Sequence, residues 1–163
     1  DLHRSGHSFP TRRSSDLGRV NGVLVDLTRP IEADAYIELL SFQSEEGVEM
    51  LRHSAAHILA QAVQRLYGNV QLGVGPVIEN GFYYDLDLEK SLSQPELVQI
   101  EKEMKKIISE NHPIIREELS RDEAKLLFAS DPLKLELIED IPENETLSVY
   151  RQGEFVEIGR AHV

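Results

Sequence analysis

The stretch MLRHSAAHILAQAVQRLYG, residues 50–68, decides how the chain is read. Leu51, Ala55, Ile58, Leu59, Ala62 and Leu66 recur at spacings of three and four, which predicts one helix with an apolar stripe. The helix starts near Ser44 and closes at Gly68-Asn69. Ser44 is followed three residues on by Gly47 rather than Glu, a weak cap, although Glu45, Glu46 and Glu49 suit a helix N-terminus. His53 and His57 are four apart and share a face, so their imidazoles can enter one small volume. That suits two metal bonds, or one imidazole oriented by its neighbour while it handles a water molecule. The plainer reading is two partly buried histidines satisfied by backbone or carboxylates. The spacing by itself favours it, because Ser54 stands where a zincin helix carries Glu.

Downstream, VQLGVGPVIENGFYYDLDL (70–88) predicts strands turning at Asn80-Gly81, with Phe82, Tyr83 and Tyr84 on a half-buried pleated surface. A second long helix is predicted from about Ser93-Gln94-Pro95 through Leu97, Ile100, Met104, Ile107 and Ile108, with Glu101 and Lys105 placed to pair. His112-Pro113 ends it. Ile114 to Leu119 alternates as a strand, and Ser120 with Glu123 forms a capping box for DEAKLLFA (122–129). KLELIED (134–140) and SVYRQGEFVE (148–157) read as strands. Upstream, residues 18–43 show short β-branched runs broken by Asn21-Gly22 and Arg29-Pro30, with Val20, Val23, Val25 and Leu27 alternating and a short strand from Tyr36 to Leu40. That is too little chain to hold a core alone, so it is expected to be the end of a small β-rich domain. The fold class is α+β, an antiparallel sheet packed with two long helices.

The chain of 163 residues is 40% hydrophobic and 28% charged, enough for one ordinary core, and it has no cysteine for a disulfide or a thiolate metal site. No apolar run approaches the roughly 20 residues that span a bilayer, and no secretory leader opens the chain. A soluble, cytoplasmic setting is expected, with no membrane partner. The formal charge of -12 argues against a basic nucleic-acid footprint, so any RNA must be gripped mainly from elsewhere.

Both ends read as foreign. HSFPTRRSSDL (7–17) is the in-frame translation of a common short-read sequencing adapter, and EIGRAHV (157–163) is that of GAG ATC GGA AGA GCA CAC GTC, the start of the opposing adapter. Residues 1–17 and 157–163 are therefore expected to be non-native and excluded from fold reasoning, although the first base of the Glu157 codon can be native. Setting aside Arg4, Arg12, Arg13, Arg160, Asp1, Asp16 and Glu157 leaves 13 basic and 26 acidic residues in 18–156, a balance of -13. A natural basic arm and natural tail are the alternative.

With RHSAAH, LGVGPVIENGFYYDLDL, a long acidic helix and SVYRQGEFV in this order, residues 18–156 closely resemble the N-terminal part of bacterial threonyl-tRNA synthetases. The resemblance implies that 18–43 is the rear of a ubiquitin-like β-grasp (TGS) domain and that 44–156 is a truncated editing domain. Alanyl-tRNA synthetases share the HxxxH helix, but the GPVIENGFYYD hairpin resembles the threonyl family. In that family the pair is completed by Asp-x-Cys-x-Gly-Pro-His. Here Glu157 stands at the Asp position, Gly159 at the Cys position, Arg160 matches, and His162 falls one position short. If the tail is adapter, none of these is a site residue.

A threonine site gains only about 1–3 kcal/mol against serine from the missing methyl group, so mischarging follows. The resemblance implies an editing domain that hydrolyses the seryl ester on tRNA-Thr, while a core outside this chain performs ATP-dependent threonylation with magnesium and zinc. The parent is expected to be a homodimer through domains outside the chain, and the truncated editing domain to be inactive or very weak. Ester hydrolysis needs a positioned water, proton transfer near neutral pH and a donor for the oxyanion. The candidate catalytic residues are His53, to orient water or the ribose hydroxyl, and His57 as its companion, with no metal required. Tyr84 and Lys134 align with family site positions; read alone, they are a cross-strand packing aromatic and a solvated strand lysine. A metal-dependent hydrolase using the histidine pair, a non-catalytic tRNA-docking module and a free-standing editing factor are the rival readings.

Overall fold

The computed structural model describes residues 17–26, 30–68, 70–73, 75–88 and 90–159. The ends 1–16 and 160–163, with Arg160 and His162, lie outside the described residues, as does Leu27. The chain divides into two compact units, 1–51 and 52–163.

In the first unit β1 (Leu17–Val20), β2 (Val23–Asp26) and β3 (Ile37–Leu40) form an antiparallel sheet in the order β2-β1-β3. The β1–β2 turn works because Asn21 and Gly22 both take positive φ, 50° and 83°, the backbone that a two-residue hairpin matched to strand twist requires. Leu40 is buried, but Val23, Tyr36, Ile37 and Leu39 are exposed. Leu40 is the one large apolar side chain that is buried among the described residues of this unit. Its last residues open α1 (Glu45–Tyr67). Ser44 caps more firmly than its sequence context suggests: its Oγ accepts from the Gly47 N–H at 3.1 Å. Gly47 is required there, since a Cβ would sit 2.0 Å from the Ser41 carbonyl oxygen.

In the second unit α1 packs on α2 (Gln94–Glu110) through Ala62, Val63, Ile100 and Ile107. The capping box of Ser93 and Glu96 starts α2, and Asn111 in the left-handed region (φ 52°) stops it. Leu51 and Leu66, expected in the apolar stripe of α1, are exposed, whereas Ala56, His57, Ala60 and Gln61 are buried. The helix is covered along a second line: Ala60 packs with Leu72 and Phe155, so the buried face turns toward a sheet as well as toward α2. The 70–88 segment folds as two short pairs, β4 (Gln71–Leu72) with β7 (Leu86–Asp87) and β5 (Val77–Ile78) with β6 (Gly81–Phe82), the latter turning at Asn80-Gly81 as expected.

The sheet that carries the site is β8 (Ile114–Leu119), β9 (Leu147–Gln152) and β10 (Phe155–Gly159), antiparallel in the order β10-β9-β8. α3 (Arg121–Leu127) is opened by the Ser120–Glu123 box. With α4 (Pro132–Asp140) it closes one face of the sheet over Ala124, Phe128, Ile138, Leu147, Val149 and Ile158. The segment KLELIED is thus helix, not strand. Its alternating leucines imitate period two, but Pro132 at the first turn and the Asp131 carboxylate, accepting from the Lys134 N–H at 3.1 Å, start a helix, and Lys134 and Ile138 face inward one turn apart. Among the described residues every strand pairing is antiparallel, in an α+β arrangement.

Candidate functional site

Three elements of the second unit converge. The middle of α1 delivers His53 and His57, with ring centroids 4.5 Å apart. The β9–β10 hairpin turns at Gly153, whose φ of 57° a non-glycine residue would adopt at a cost, and this fixes Phe155 opposite Gln152. Two residues further, Tyr150 then stands opposite Glu157 on the face toward α1. The Tyr150 ring meets both imidazoles edge-on, at 5.9 Å from His57 and 6.4 Å from His53, and Phe155 meets His57 at 6.2 Å. His57 is buried and His53 is exposed, so the pair runs from the interior to solvent.

Beside the pair lies a buried ion pair. Lys134 is 2% exposed and Glu157 7%, and the ammonium donates to Glu157 Oε1. The Tyr84 hydroxyl donates to Oε2 at 2.7 Å, and the Ile158 N–H reaches Oε1 at 3.1 Å. A charge this deep is tolerable only when paired and hydrogen-bonded, and here both carboxylate oxygens are engaged. The cluster sets the protonation states around it. Burial, then the neighbouring His53 and then Lys134, lower the His57 pKa to about 3, so at neutral pH it is an uncharged imidazole with one donor and one acceptor nitrogen. Burial first, and then Glu157, push the Tyr84 phenol well above its ordinary range, which keeps it a donor.

Two glycines admit the two tyrosines. A Cβ on Gly75 would lie 2.3 Å from the Tyr84 ring, and one on Gly159 would lie 2.6 Å from the Tyr150 ring. Tyr84 is not in a strand but in the link between β6 and β7, so its ring lies on the Gly75 backbone rather than on a cross-strand neighbour.

All four residues expected from the sequence, His53, His57, Tyr84 and Lys134, fall in this one region. No family model matches the chain. It is 54% identical over 151 residues to threonine–tRNA ligase of Bacillus velezensis, covering 91% of the chain and 24% of that protein. The chain is similar to one segment of the threonine–tRNA ligases. The corresponding proteins of Staphylococcus saprophyticus and Staphylococcus epidermidis are each 54% identical over 149 residues, 91% of the chain and 23% of theirs. The chain thus spans about a quarter of the length of the threonine–tRNA ligases it matches.

Two residues of this region escaped sequence reasoning. Glu157, set aside with the tail, lies in this region as the acceptor for both Lys134 and Tyr84, on a strand whose residues through Gly159 pair with β9. Tyr150 was passed over as a strand aromatic. The signal for both was the hairpin Gln152-Gly153-Glu154-Phe155, since a two-residue turn fixes the register that sets 150 opposite 157. Among the described residues no group of three or more His, Cys, Asp or Glu side chains is arranged to hold a metal ion.

Proposed function

We propose that this segment removes wrongly attached serine from tRNA-Thr within a threonine–tRNA ligase, by hydrolysing the ester to the terminal ribose. One observation carries the reading: the solvent-to-interior histidine pair lies in one region with a buried lysine whose orientation is fixed by Glu157 and Tyr84. The names of the relatives support it at the coarser level of a threonine–tRNA ligase.

The chemistry divides among these groups. Water oxygen attacks the ester carbonyl carbon, the bond to the ribose oxygen breaks, and the proton lost by water ends on that ribose oxygen. His53, at the solvent end, orients the water or the ribose hydroxyl. His57 stays neutral at working pH and holds His53 by ring contact rather than by charge. Lys134 supplies the fixed positive group for the developing oxyanion, which costs no reorganisation because Glu157 already aims it.

In this proposal 18–43 is the rear of a TGS domain, 44–156 is the editing domain, and residues 1–17 and 157–163 are adapter-derived, Glu157 standing in for the Asp that the family carries at that position as the acceptor for Lys134 and Tyr84. Threonylation with ATP, magnesium and zinc, and a homodimer interface, belong to segments outside this chain, in a cytoplasmic enzyme. Among the described residues no helix is long and apolar enough to cross a membrane. The 163-residue chain by itself is inactive or very weak, because after Val156 it departs from the family motif at Glu157, at Gly159 and in the place of His162.

The test is deacylation of Ser-tRNA-Thr by a complete threonine–tRNA ligase containing this segment. His53→Ala is expected to lower the rate at least about 100-fold with threonylation intact. Loss of threonylation and deacylation together, or an unchanged deacylation rate, would sink the assignment. Appreciable hydrolysis by the isolated chain would overturn the part that makes it inactive.

A further inference from the structure

We propose that Gly75 is a positioning residue of the histidine site, acting through Tyr84: the bare Gly75 backbone is the seat that lets the Tyr84 ring lie flat and bring its hydroxyl to Glu157. The inference rests on the site geometry and, for its functional meaning, on the editing reading above. A Cβ built on Gly75 finds as its three nearest atoms only Tyr84 ring carbons, Cδ2 at 2.3 Å, Cε2 at 2.4 Å and Cγ at 3.1 Å. Carbon atoms in contact prefer roughly 3.5–4.0 Å, so a methyl group and the ring cannot share this space. The backbone of Gly75 is not in the left-handed region, so no conformational demand for glycine competes with the steric one. The neighbouring Gly73 is different, since its nearest atoms belong to Asp85, outside the site.

What the seat secures is a hydrogen bond that no other described residue gives Glu157 Oε2. The Tyr84 hydroxyl reaches that oxygen at 2.7 Å, while Lys134 and the Ile158 N–H use Oε1. If the ring lifts by about 1 Å to clear a methyl group, the hydroxyl leaves hydrogen-bonding range, because bonds of this kind weaken steeply beyond their normal length. Glu157 is then held from one side only, and Lys134 loses a fixed partner. The three atoms nearest to that Cβ position all belong to the Tyr84 ring, so the effect of Gly75 passes through that ring.

The test uses the whole 163-residue chain and the spectrophotometric titration of its tyrosines, five in all. Tyr84→Phe assigns the Tyr84 step by subtraction. In the unsubstituted chain Tyr84 is expected to ionise only with unfolding; in Gly75→Ala its step is expected to fall toward the ordinary tyrosine range while the chain stays folded by circular dichroism. An unchanged titration in folded Gly75→Ala would overturn the proposal. Should Gly75→Ala not fold, the double variant Gly75→Ala/Tyr84→Ala decides: recovery of the fold supports the seat, and failure to recover overturns it. This readout is independent of hydrolysis, so failure of the editing reading would leave it standing. In a complete threonine–tRNA ligase that does deacylate Ser-tRNA-Thr, Gly75→Ala is expected to lose about the same factor as Tyr84→Ala, and the two together no more than either. Additive losses would overturn the coupling.

Discussion

β10 and the turn that precedes it carry two charge clusters built from similar parts and put to different use. Glu154, in the β9–β10 turn, meets Arg65 of α1, with 2.5 Å between Arg65 Nε and the carboxylate. The same guanidinium pairs with Glu103 and Glu110 of α2 at 3.2 and 2.7 Å, so one cation of α1 serves three carboxylates, two from α2 and one from the turn. Within the strand Glu157 meets Lys134, one carboxylate to one cation, and both are buried. The first cluster lies where its side chains keep substantial contact with water and it joins helices to a hairpin; the second is cut off from water beside two imidazoles. A half-buried network that keeps contact with water tolerates excess charge because solvent still screens it. A buried pair must be neutral and fully hydrogen-bonded, and that fixes the geometry of a single ammonium next to His57.

Three measurements would break or sharpen this contrast. Lys134→Ala should have the largest effect, since it strands Glu157 without its cation. About 3–5 kcal/mol of stability is expected to be lost by urea denaturation, and joint replacement of Lys134 by Met and Glu157 by Leu should recover most of it. A loss below about 1 kcal/mol would mean that the pair is hydrated and that the contrast is false.

Acid separates the clusters next. His57 has its pKa depressed from 6.5 to about 3, so its neutral form stabilises the fold; that stability is complete above about pH 6.5 and is lost as pH falls toward 3. The slope approaches about 1.4 kcal/mol per pH unit for one such group. Glu154 is lowered from 4.5 to about 2, first by the Arg65 hydrogen bond; its contribution is present above about pH 4.5 and is lost between there and 2. His57→Asn should flatten the decline from 6.5 to 4.5, and Arg65→Gln only the part below 4.5. Identical profiles for the two variants would contradict the assignment.

Arg65→Ala is the mildest. A loss of about 1–2 kcal/mol is expected, shrinking in 1 M salt as the three released carboxylates are screened, whereas the Lys134→Ala loss should barely respond to salt. Equal salt sensitivity in the two variants would remove the distinction.

How far the site was legible follows from which interactions are local. His53 and His57 could be paired from spacing because a helix alone brings i and i+4 together. The turns at Asn21-Gly22 and Asn80-Gly81 were equally plain, as only a few residue types accept positive φ. Lys134 was found but placed on a strand, since Leu133, Leu135 and Leu137 alternate like a pleated edge; the cap from Asp131 settled the matter in favour of helix. Tyr84 came from the family resemblance, and its ring rests on Gly75, nine residues earlier in a loop, a contact that no local pattern marks.

By itself the sequence determined the α+β class, the two long helices, the turns at Asn21-Gly22 and Asn80-Gly81 and the pairing of His53 with His57. These depend on periodicity, caps and turn residues, whose energetics act within a few positions of the chain. Only the tertiary structure decided that α1 is buried on a second line, that Lys134 and Glu157 form one desolvated pair, and that Tyr150 closes over both imidazoles. A lysine and a glutamate 23 residues apart carry no local mark of their partnership. Removal from water makes their union obligatory, and removal from water is a property of packing.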